Sequence, residues 1–378
     1  MLSNKELNKL REAIDHLDLE LLNLLARRIS LCDQVGEHKI ATQSVTRDPE
    51  REDALLKNKI ELAKEIGLSP IFVKELFELI INHSVKKQYQ MKMNQPFKSP
   101  RVAYLGDQGS YSHQALIKYF DNQTSNPKPF PFKTFKDIVH SVKNSDMDLG
   151  VLPIENTTSG AILEVYDLLQ GSGINIVGEE IFEIKHCLVG KNSNTNQIKK
   201  ILGHPQAITQ CNDLIQANSD VEIEYCASSA DALEKIIQLD KDDIAAIANE
   251  YAATIYNLSI IKENISNQRS NFTRFIFICK KEFVFPEEIP CKVSIVFATQ
   301  QGPGSLATVL NDFKSCGINL TKLQSRPIPE KPWEEMFYAD FEGHLDAIEV
   351  KEALKLAENS CQFLKVLGNY PKCEIKLA

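Results

Sequence analysis

Arg11, Arg28, Lys39 and Arg51 set four cationic donors in the amino-terminal part of the chain, and Asp48, Glu52, Ser84 and Gln88 add carboxylates, a hydroxyl and an amide. Such a mixture suits a small dianion, with cations for its charge and directing groups for its hydroxyls. A second candidate is "QRSNFTRFIFICKK", residues 268 to 281, where Thr273 and Arg274 interrupt a segment otherwise suited to burial. One reading has Arg274 cap the edge of a strand, and the other gives the pair a catalytic role. A third is "YLGDQGSYSHQA", residues 104 to 115, a strand, a glycine and serine turn and a helix start. Free backbone amides and hydroxyls converge at such a turn, a natural seat for a carboxylate. "PIENTTSGA", residues 153 to 161, repeats the arrangement, and paired loops of this kind suggest a cleft between two α/β lobes.

The elements that must carry these residues follow from periodicity. Leu7, Leu10, Ile14, Leu17, Leu21 and Leu24 alternate spacings of three and four, a heptad seam on one long helix from Lys5 to about Lys39. Arg28 continues the series 7, 14, 21 and so occupies a seam position. Asp48 followed by Pro49 reads as cap and first turn of a second helix to about Ile66, which Gly67 ends. A third helix after Pro70 buries Val73, Phe77, Ile80 and Ile81 and runs to about Tyr89, with Ser84 and Gln88 prolonging that face. Arg11 and Arg28 are about 25 Å apart on one helix, too far for one small ligand. An antiparallel partner helix would join them, so this segment is expected to act as a homodimer or higher homo-oligomer.

Residues 90 to 100 read as a linker. Beyond it short apolar strands alternate with helical stretches, as in an α/β domain, and a proline-flanked joint lies near Phe285 to Pro290. The remainder has β-α-β-β-α-β order, the ferredoxin-like split. The domains expected are 1–92, 101–282 and 291–371.

Totals narrow the function. A net charge of -8 disfavours nucleic acid, and no apolar run is long enough for a membrane span. The nine cysteines are scattered without metal-ligand spacing, so neither a zinc site nor a disulfide framework is expected. The charged start lacks a signal peptide's apolar core, which reads as cytoplasmic.

"LREAIDHLDLELLNLLARR", Lys39, "RDPERE" and "HSVKKQ" resemble the all-helical chorismate mutase module of the bifunctional P-proteins, in which chorismate mutase is fused to prephenate dehydratase. The resemblance implies that Arg11 and Arg28, one from each subunit, hold the carboxylates of chorismate. It puts the ether-oxygen donors on Lys39 and Gln88, and hydroxyl or carboxylate binding on Asp48, Arg51, Glu52 and Ser84. A Claisen rearrangement moves no proton, so conformer restraint and donors at the ether oxygen are the whole requirement. No cofactor is needed.

"YLGDQGSYSHQA", "PIENTTSGA", "GHPQAITQC" and "NFTRF" together resemble the prephenate dehydratase domain, whose fold is similar to two-lobed periplasmic binding proteins. The resemblance gives Thr273 the leaving hydroxyl and Arg274 the substrate anion, between Phe272 and Phe275. Glu155 or His113 is the expected proton source. Ser110, Ser112, Asn156, Thr157, Ser159, His204 and Gln210 are further candidates for prephenate binding. Where the family often has serine before H-P-Q, this chain has Gly203.

The last segment resembles an ACT regulatory domain, which binds phenylalanine at a subunit interface. Its motifs here read "GSLA" (Gly304, Ser305, Leu306, Ala307) and "QSRP" (Gln324, Ser325, Arg326, Pro327), and Gln324 replaces a glutamate. "GPGSLA" also fits G-x-G-x-x-A, but no acidic residue stands at the ribose position and no dinucleotide is expected. The expectation is a bifunctional enzyme converting chorismate through prephenate to phenylpyruvate. An alternative is a non-catalytic small-anion sensor with an ACT domain.

Overall fold

The computed structural model describes residues 4–373, apart from 43, 45, 94–98, 122–124, 193–197, 218–219, 269, 288, 329–330 and 332. The chain divides into two compact units that part between residues 98 and 99.

The first unit is helical, with helices Asn4–Ala41, Pro49–Glu65 and Pro70–Met93. Asp48 caps the second, its Oδ1 accepting from the Arg51 amide at 3.1 Å, with Pro49 in the first turn. Gly36 leaves the first helix unbroken and is buried, because a Cβ there would come within 3.0 Å of Gln88 Cγ; glycine admits the third helix. Val73 and Ile81 are buried as expected, with Phe77 and Ile80 half-buried. The third helix continues through residues 90–93 of the expected linker, and 94–98 lie outside the described residues. The heptad seam has no cover among the described residues of this unit: Leu10, Ile14, Leu17, Leu21 and Leu24 are 50–62% exposed.

The second unit holds three sheets. In the first, strands Lys128–Phe132, Arg101–Leu105, Leu149–Asn156, Phe272–Cys279 and Asn175–Glu183 lie in that spatial order, with Gly160–Ala161 beside Leu149–Asn156. Lys128–Phe132 escaped the sequence reading because it carries Pro129 and Pro131, which an edge strand tolerates. Phe272–Cys279 enters from far along the chain and runs antiparallel to both neighbours. The second sheet orders Ser259–Lys262, Cys187–Gly190, Ile244–Ala248, Lys200–Gly203 and Glu222–Tyr225. Two segments connect these lobes and bond to each other, Ile184 N to Asn271 O at 2.7 Å and Ile265 N to His186 O at 2.9 Å.

The third sheet is antiparallel, in the order Leu320–Pro327, Glu335–Glu342, Cys291–Thr299, Cys361–Pro371. With helices Ser305–Ser315 and Ile348–Ser360 it has the expected β-α-β-β-α-β order. Val293, Ile295, Phe297, Val309, Phe313 and Phe341 form its core. Its edge strand Cys361–Pro371 lies against the edge strand Asn175–Glu183 of the first sheet, at Gly368. A Cβ there would sit 2.2 Å from the Ile176 carbonyl oxygen, so glycine sets how closely the two edges approach.

Candidate functional site

In the helical unit the seam position of Arg28 turns toward the third helix. Its Nη1 donates to Ser84 Oγ at 3.0 Å, and Gln88 Nε2 donates to the Cys32 carbonyl at 3.0 Å. Ser84 and Gln88 are each 7% exposed, so these polar ends of the helix face are interior positions, paired as burial requires. Lys39 Nζ donates to the Thr46 carbonyl at 2.5 Å. Glu52 accepts from Arg47 Nε at 3.1 Å. An open groove of about 1110 Å³ is lined by Lys39, Arg47, Asp48 and Arg51 among others; Arg28, Ser84, Gln88 and Glu52 are outside its lining. Arg11 is exposed on the first helix, away from the Arg28–Ser84 pair.

In the second unit the pleat sorts the candidates. Thr273 pairs with Asn156 and Arg274 with Glu155, and adjacent strand residues point to opposite faces. On one face Asn156 Nδ2 donates to Thr273 Oγ1 at 2.9 Å and to Asn271 Oδ1 at 2.6 Å. Gln210, from the second lobe, accepts from Asn271 Nδ2 at 3.4 Å and contacts His186 Nε2 at 2.8 Å. Ser159 links the lobes again, donating to Asn156 Oδ1 and accepting from Gln206 Nε2 at 3.1 Å. His204 caps the helix Pro205–Gln210, its Nδ1 accepting from the Gln206 amide at 3.3 Å, and burial lowers its pKa. At Gly203, a Cβ would meet Ile208 Cδ1 at 3.1 Å, so the hydroxyl position is partly filled by packing.

Other candidates also bond within the fold. Thr157 Oγ1 accepts from the Phe272 amide at 2.9 Å and closes the ladder. Ser110 Oγ donates to the Leu105 carbonyl at 3.1 Å and accepts from the His113 amide, bracing the turn before helix Tyr111–Asp121. Ser112 is buried in that helix, Phe275 is buried and Phe272 is half-buried.

Arg274, expected at the substrate anion, is engaged within the protein. Four of its five N–H groups are taken, Nε by Glu179 at 2.7 Å and Nη1 by Glu155 at 3.0 Å on the first sheet, and Nη1 by Asp340 at 2.6 Å and Nη2 by Tyr370 Oη at 2.7 Å on the C-terminal sheet. A guanidinium so engaged has no fork left for a substrate carboxylate. Lys292 adds contacts to Glu179 at 2.8 Å, and Lys322 reaches Glu155. The cluster balances three cations, Arg274, Lys292 and Lys322, with three carboxylates, Glu155, Glu179 and Asp340.

The two expected proton sources sit in different surroundings. Burial alone would raise the Glu155 pKa, but Lys322 and Arg274 outweigh it and bring it below the ordinary value, which keeps the carboxylate ionised. His113 is 4% exposed between Tyr104 and Tyr251, and burial lowers its pKa. Asn271 and His186 were missed by sequence reasoning. Asn271 stands two residues before Thr273 and so shares its face, a signal that was present.

In the C-terminal sheet domain, Gly304 precedes the helix at φ +80 and Ser305 Oγ donates to the Gly302 carbonyl at 2.9 Å. Leu306 packs on the core. Gln324 Nε2 donates to the Ser325 carbonyl at 3.1 Å, Ser325 and Pro327 are exposed, and Arg326 is committed to Asp167 of the first lobe.

Comparison with known proteins joins these pieces. Residues 10–89 match the family model for chorismate mutase type II, and residues 102–283 match that for prephenate dehydratase. A bifunctional chorismate mutase/prephenate dehydratase of Enterobacter agglomerans is 39% identical over 367 residues, 96% of this chain and 95% of the relative. Among solved structures, GqqA, described as a novel type of quorum quenching acylase, is similar at TM-score 0.65 and 26% identity, covering 72% of this chain and 98% of its own. Prephenate dehydratase of Arthrobacter aurescens in complex with L-Phe shares the fold at TM-score 0.64 and 24% identity, over 72% of this chain and 90% of its own. With helical and two-lobed units in the same order as its full-length relative, the chain belongs to the family of bifunctional chorismate mutase/prephenate dehydratases.

Proposed function

We propose that the two reactions use separate residue sets, Arg11, Arg28, Lys39 and Gln88 for chorismate and Thr273 with Asn156 for prephenate. In the mutase step Lys39 and Gln88 each spend a hydrogen on a backbone carbonyl and keep others for the ether oxygen. Negative charge grows there in the transition state, and fixed donors stabilise it. Arg28 holds one carboxylate and Arg11 of a second copy the other. The exposed leucine seam supports this dimer, since so long an apolar stripe gains by burial against its own copy. Leu17→Lys together with Leu21→Lys should yield monomers without mutase turnover; monomers that isomerise chorismate at the native rate would defeat the dimer reading.

In the dehydratase step the carboxylate leaves as carbon dioxide, its electrons enter the ring, and the ring carbon–oxygen bond breaks as the hydroxyl takes a proton. The observation that carries this assignment is the bond from Asn156 Nδ2 to Thr273 Oγ1. As acceptor of that bond, Thr273 keeps its own hydrogen for the leaving oxygen. Thr273 is assigned as the relay that hands the leaving oxygen its hydrogen and regains one from solvent water, and the proton is not assigned to Glu155 or His113. The substrate anion is assigned to the Gly109–Ser112 turn and the residues around Gln210 in place of Arg274. Thr273→Val should lower prephenate turnover by about 10²-fold or more while mutase turnover stays native. Native turnover by that variant would remove Thr273 from the reaction.

The C-terminal sheet domain is assigned as an ACT domain binding phenylalanine near Gly304–Leu306 and Gln324–Pro327, in keeping with the L-Phe complex of the Arthrobacter aurescens relative. The exchange at Gln324 removes a negative charge from that region, so inhibition weaker than a glutamate would give is expected. Titrating turnover with phenylalanine, for the native chain and Gln324→Glu, tests it. A cytoplasmic setting suits nine cysteines scattered singly along the chain.

A further inference from the structure

The orientation of the Thr273 hydroxyl is set by a chain of side-chain amides that begins between the two lobes. Asn156 Oδ1 accepts from the Thr158 amide at 2.9 Å, the Ser159 amide at 2.9 Å and Ser159 Oγ at 3.2 Å. With its oxygen committed to three donors, Asn156 must present Nδ2 on the other side. There it meets Asn271 Oδ1 at 2.6 Å, Thr273 Oγ1 at 2.9 Å and the Phe272 carbonyl at 3.1 Å. The Phe272 carbonyl already accepts from the Thr157 amide at 2.9 Å, which favours Asn271 and Thr273 as takers of the two hydrogens.

Asn271 is fixed in turn. Since its Oδ1 faces Asn156, its Nδ2 faces Gln210 Oε1, at 3.4 Å, and the same oxygen meets His186 Nε2 at 2.8 Å. That contact requires His186 to carry a hydrogen on Nε2, with Nδ1 3.2 Å from Tyr111 Oη, which itself donates to the Lys185 carbonyl at 2.7 Å. Burial lowers the His186 pKa, with the Gln210 bond opposing, in keeping with a neutral ring. Asn271 is 2% exposed, too deep to touch substrate itself. It also sits on the segment that bonds to Ile184, where the lobes connect.

We propose that Asn271 is a positioning residue for dehydration, holding the Asn156 amide so that Thr273 turns its O–H, and not a lone pair, toward the leaving hydroxyl of prephenate. This rests on the assignment of Thr273 to that hydroxyl. Without Asn271, Asn156 Nδ2 loses its shortest acceptor and leans to the Phe272 carbonyl, away from Thr273. Thr273 then rotates freely and offers its hydrogen only part of the time.

The test uses the full chain, with prephenate turnover followed as phenylpyruvate formation across pH. Asn271→Ala should lower kcat by about tenfold or more and leave KM within about threefold, because a buried orienting group acts on the reacting geometry and not on binding. Asn271→Asp supplies a readout that mere packing would not move. Its protonated carboxyl can both accept from Asn156 and donate to Gln210, whereas the carboxylate sets a bare oxygen against Gln210 Oε1 and is pushed off the Asn156 amide. Its kcat should therefore fall with rising pH through an ionisation absent from the native profile. Native kcat in Asn271→Ala, or a native pH profile in Asn271→Asp, overturns the proposal; should Asn271→Ala fail to fold, the Asn271→Asp profile decides. Thr273→Val separates the two assignments. If it is slow while both Asn271 variants are native, the positioning role alone falls; if it is native, the Thr273 assignment falls and takes the positioning role with it.

Discussion

Arg274 and Asp340 stand 2.6 Å apart across the seam between the dehydratase sheet and the C-terminal sheet, with side chains 7% and 11% exposed. Around them Arg274 Nη2 donates to Tyr370 Oη, Tyr370 contacts Ser294 Oγ at 2.6 Å, and Ser294 donates to Asp340 at 2.5 Å. The ring of bonds satisfies each polar group where water is excluded. The arginine next to the proposed catalytic threonine thus fastens the two domains together.

Removing one member of such a cluster strands the others. Arg274→Met leaves Asp340 without its cation and Glu179 with Lys292 alone, and a loss of about 3–5 kcal/mol is expected from urea unfolding of the second unit. Mutase turnover of the same variant should stay near native. Near-native stability together with a large rise in KM for prephenate would instead return Arg274 to the substrate.

Gly368 makes a second seam prediction, by sterics and not by charge. Gly368→Ala puts a methyl group against the Ile176 carbonyl, a backbone atom that cannot swing aside. The strands must separate, with a cost of about 1–3 kcal/mol. Limited proteolysis should cut between the dehydratase and C-terminal domains sooner in the variant, and an unchanged cleavage rate would contradict the geometry.

Acid should loosen the same seam. Glu155 titrates below its ordinary value of 4.5, because Lys322 and Arg274 outweigh its burial. A depressed folded pKa adds stability that is complete above the unfolded value and is lost as pH falls through the folded one. The urea midpoint of the native chain should therefore drop below pH 4.5 more steeply than that of Glu155→Gln. Parallel curves for the two would show that Glu155 contributes nothing to the acid response.

The mutase donors are separable from all of this. Lys39→Ala or Gln88→Ala should lower chorismate turnover by about 10²–10³-fold, the usual loss when one donor to a developing oxyanion is removed. Phenylpyruvate formation from supplied prephenate should be unaffected. Equal loss of both activities would point to collapse of the whole chain.

Much of the helical unit was legible because its signals are local. A cap and a proline fixed the start of the second helix, and i, i+4 spacing put Ser84 and Gln88 on the buried face with Val73, Phe77, Ile80 and Ile81. The Lys128–Phe132 strand was not legible, since its prolines argue against strand unless its place at a sheet edge is known. Gly36 likewise shows its packing reason only when the third helix is seen against it.

By itself the sequence determined most of the order of the elements, the cap that begins the second helix and the residue types able to meet an anion. These are set by neighbours a few positions apart. Tertiary structure alone decided what each strand face meets. Alternation separates Thr273 from Arg274, but it does not say which side is the cleft and which the seam. That depends on a strand arriving from more than a hundred residues away to lie beside Asn156 and Glu155, and on the C-terminal sheet whose Asp340 and Tyr370 claim the arginine.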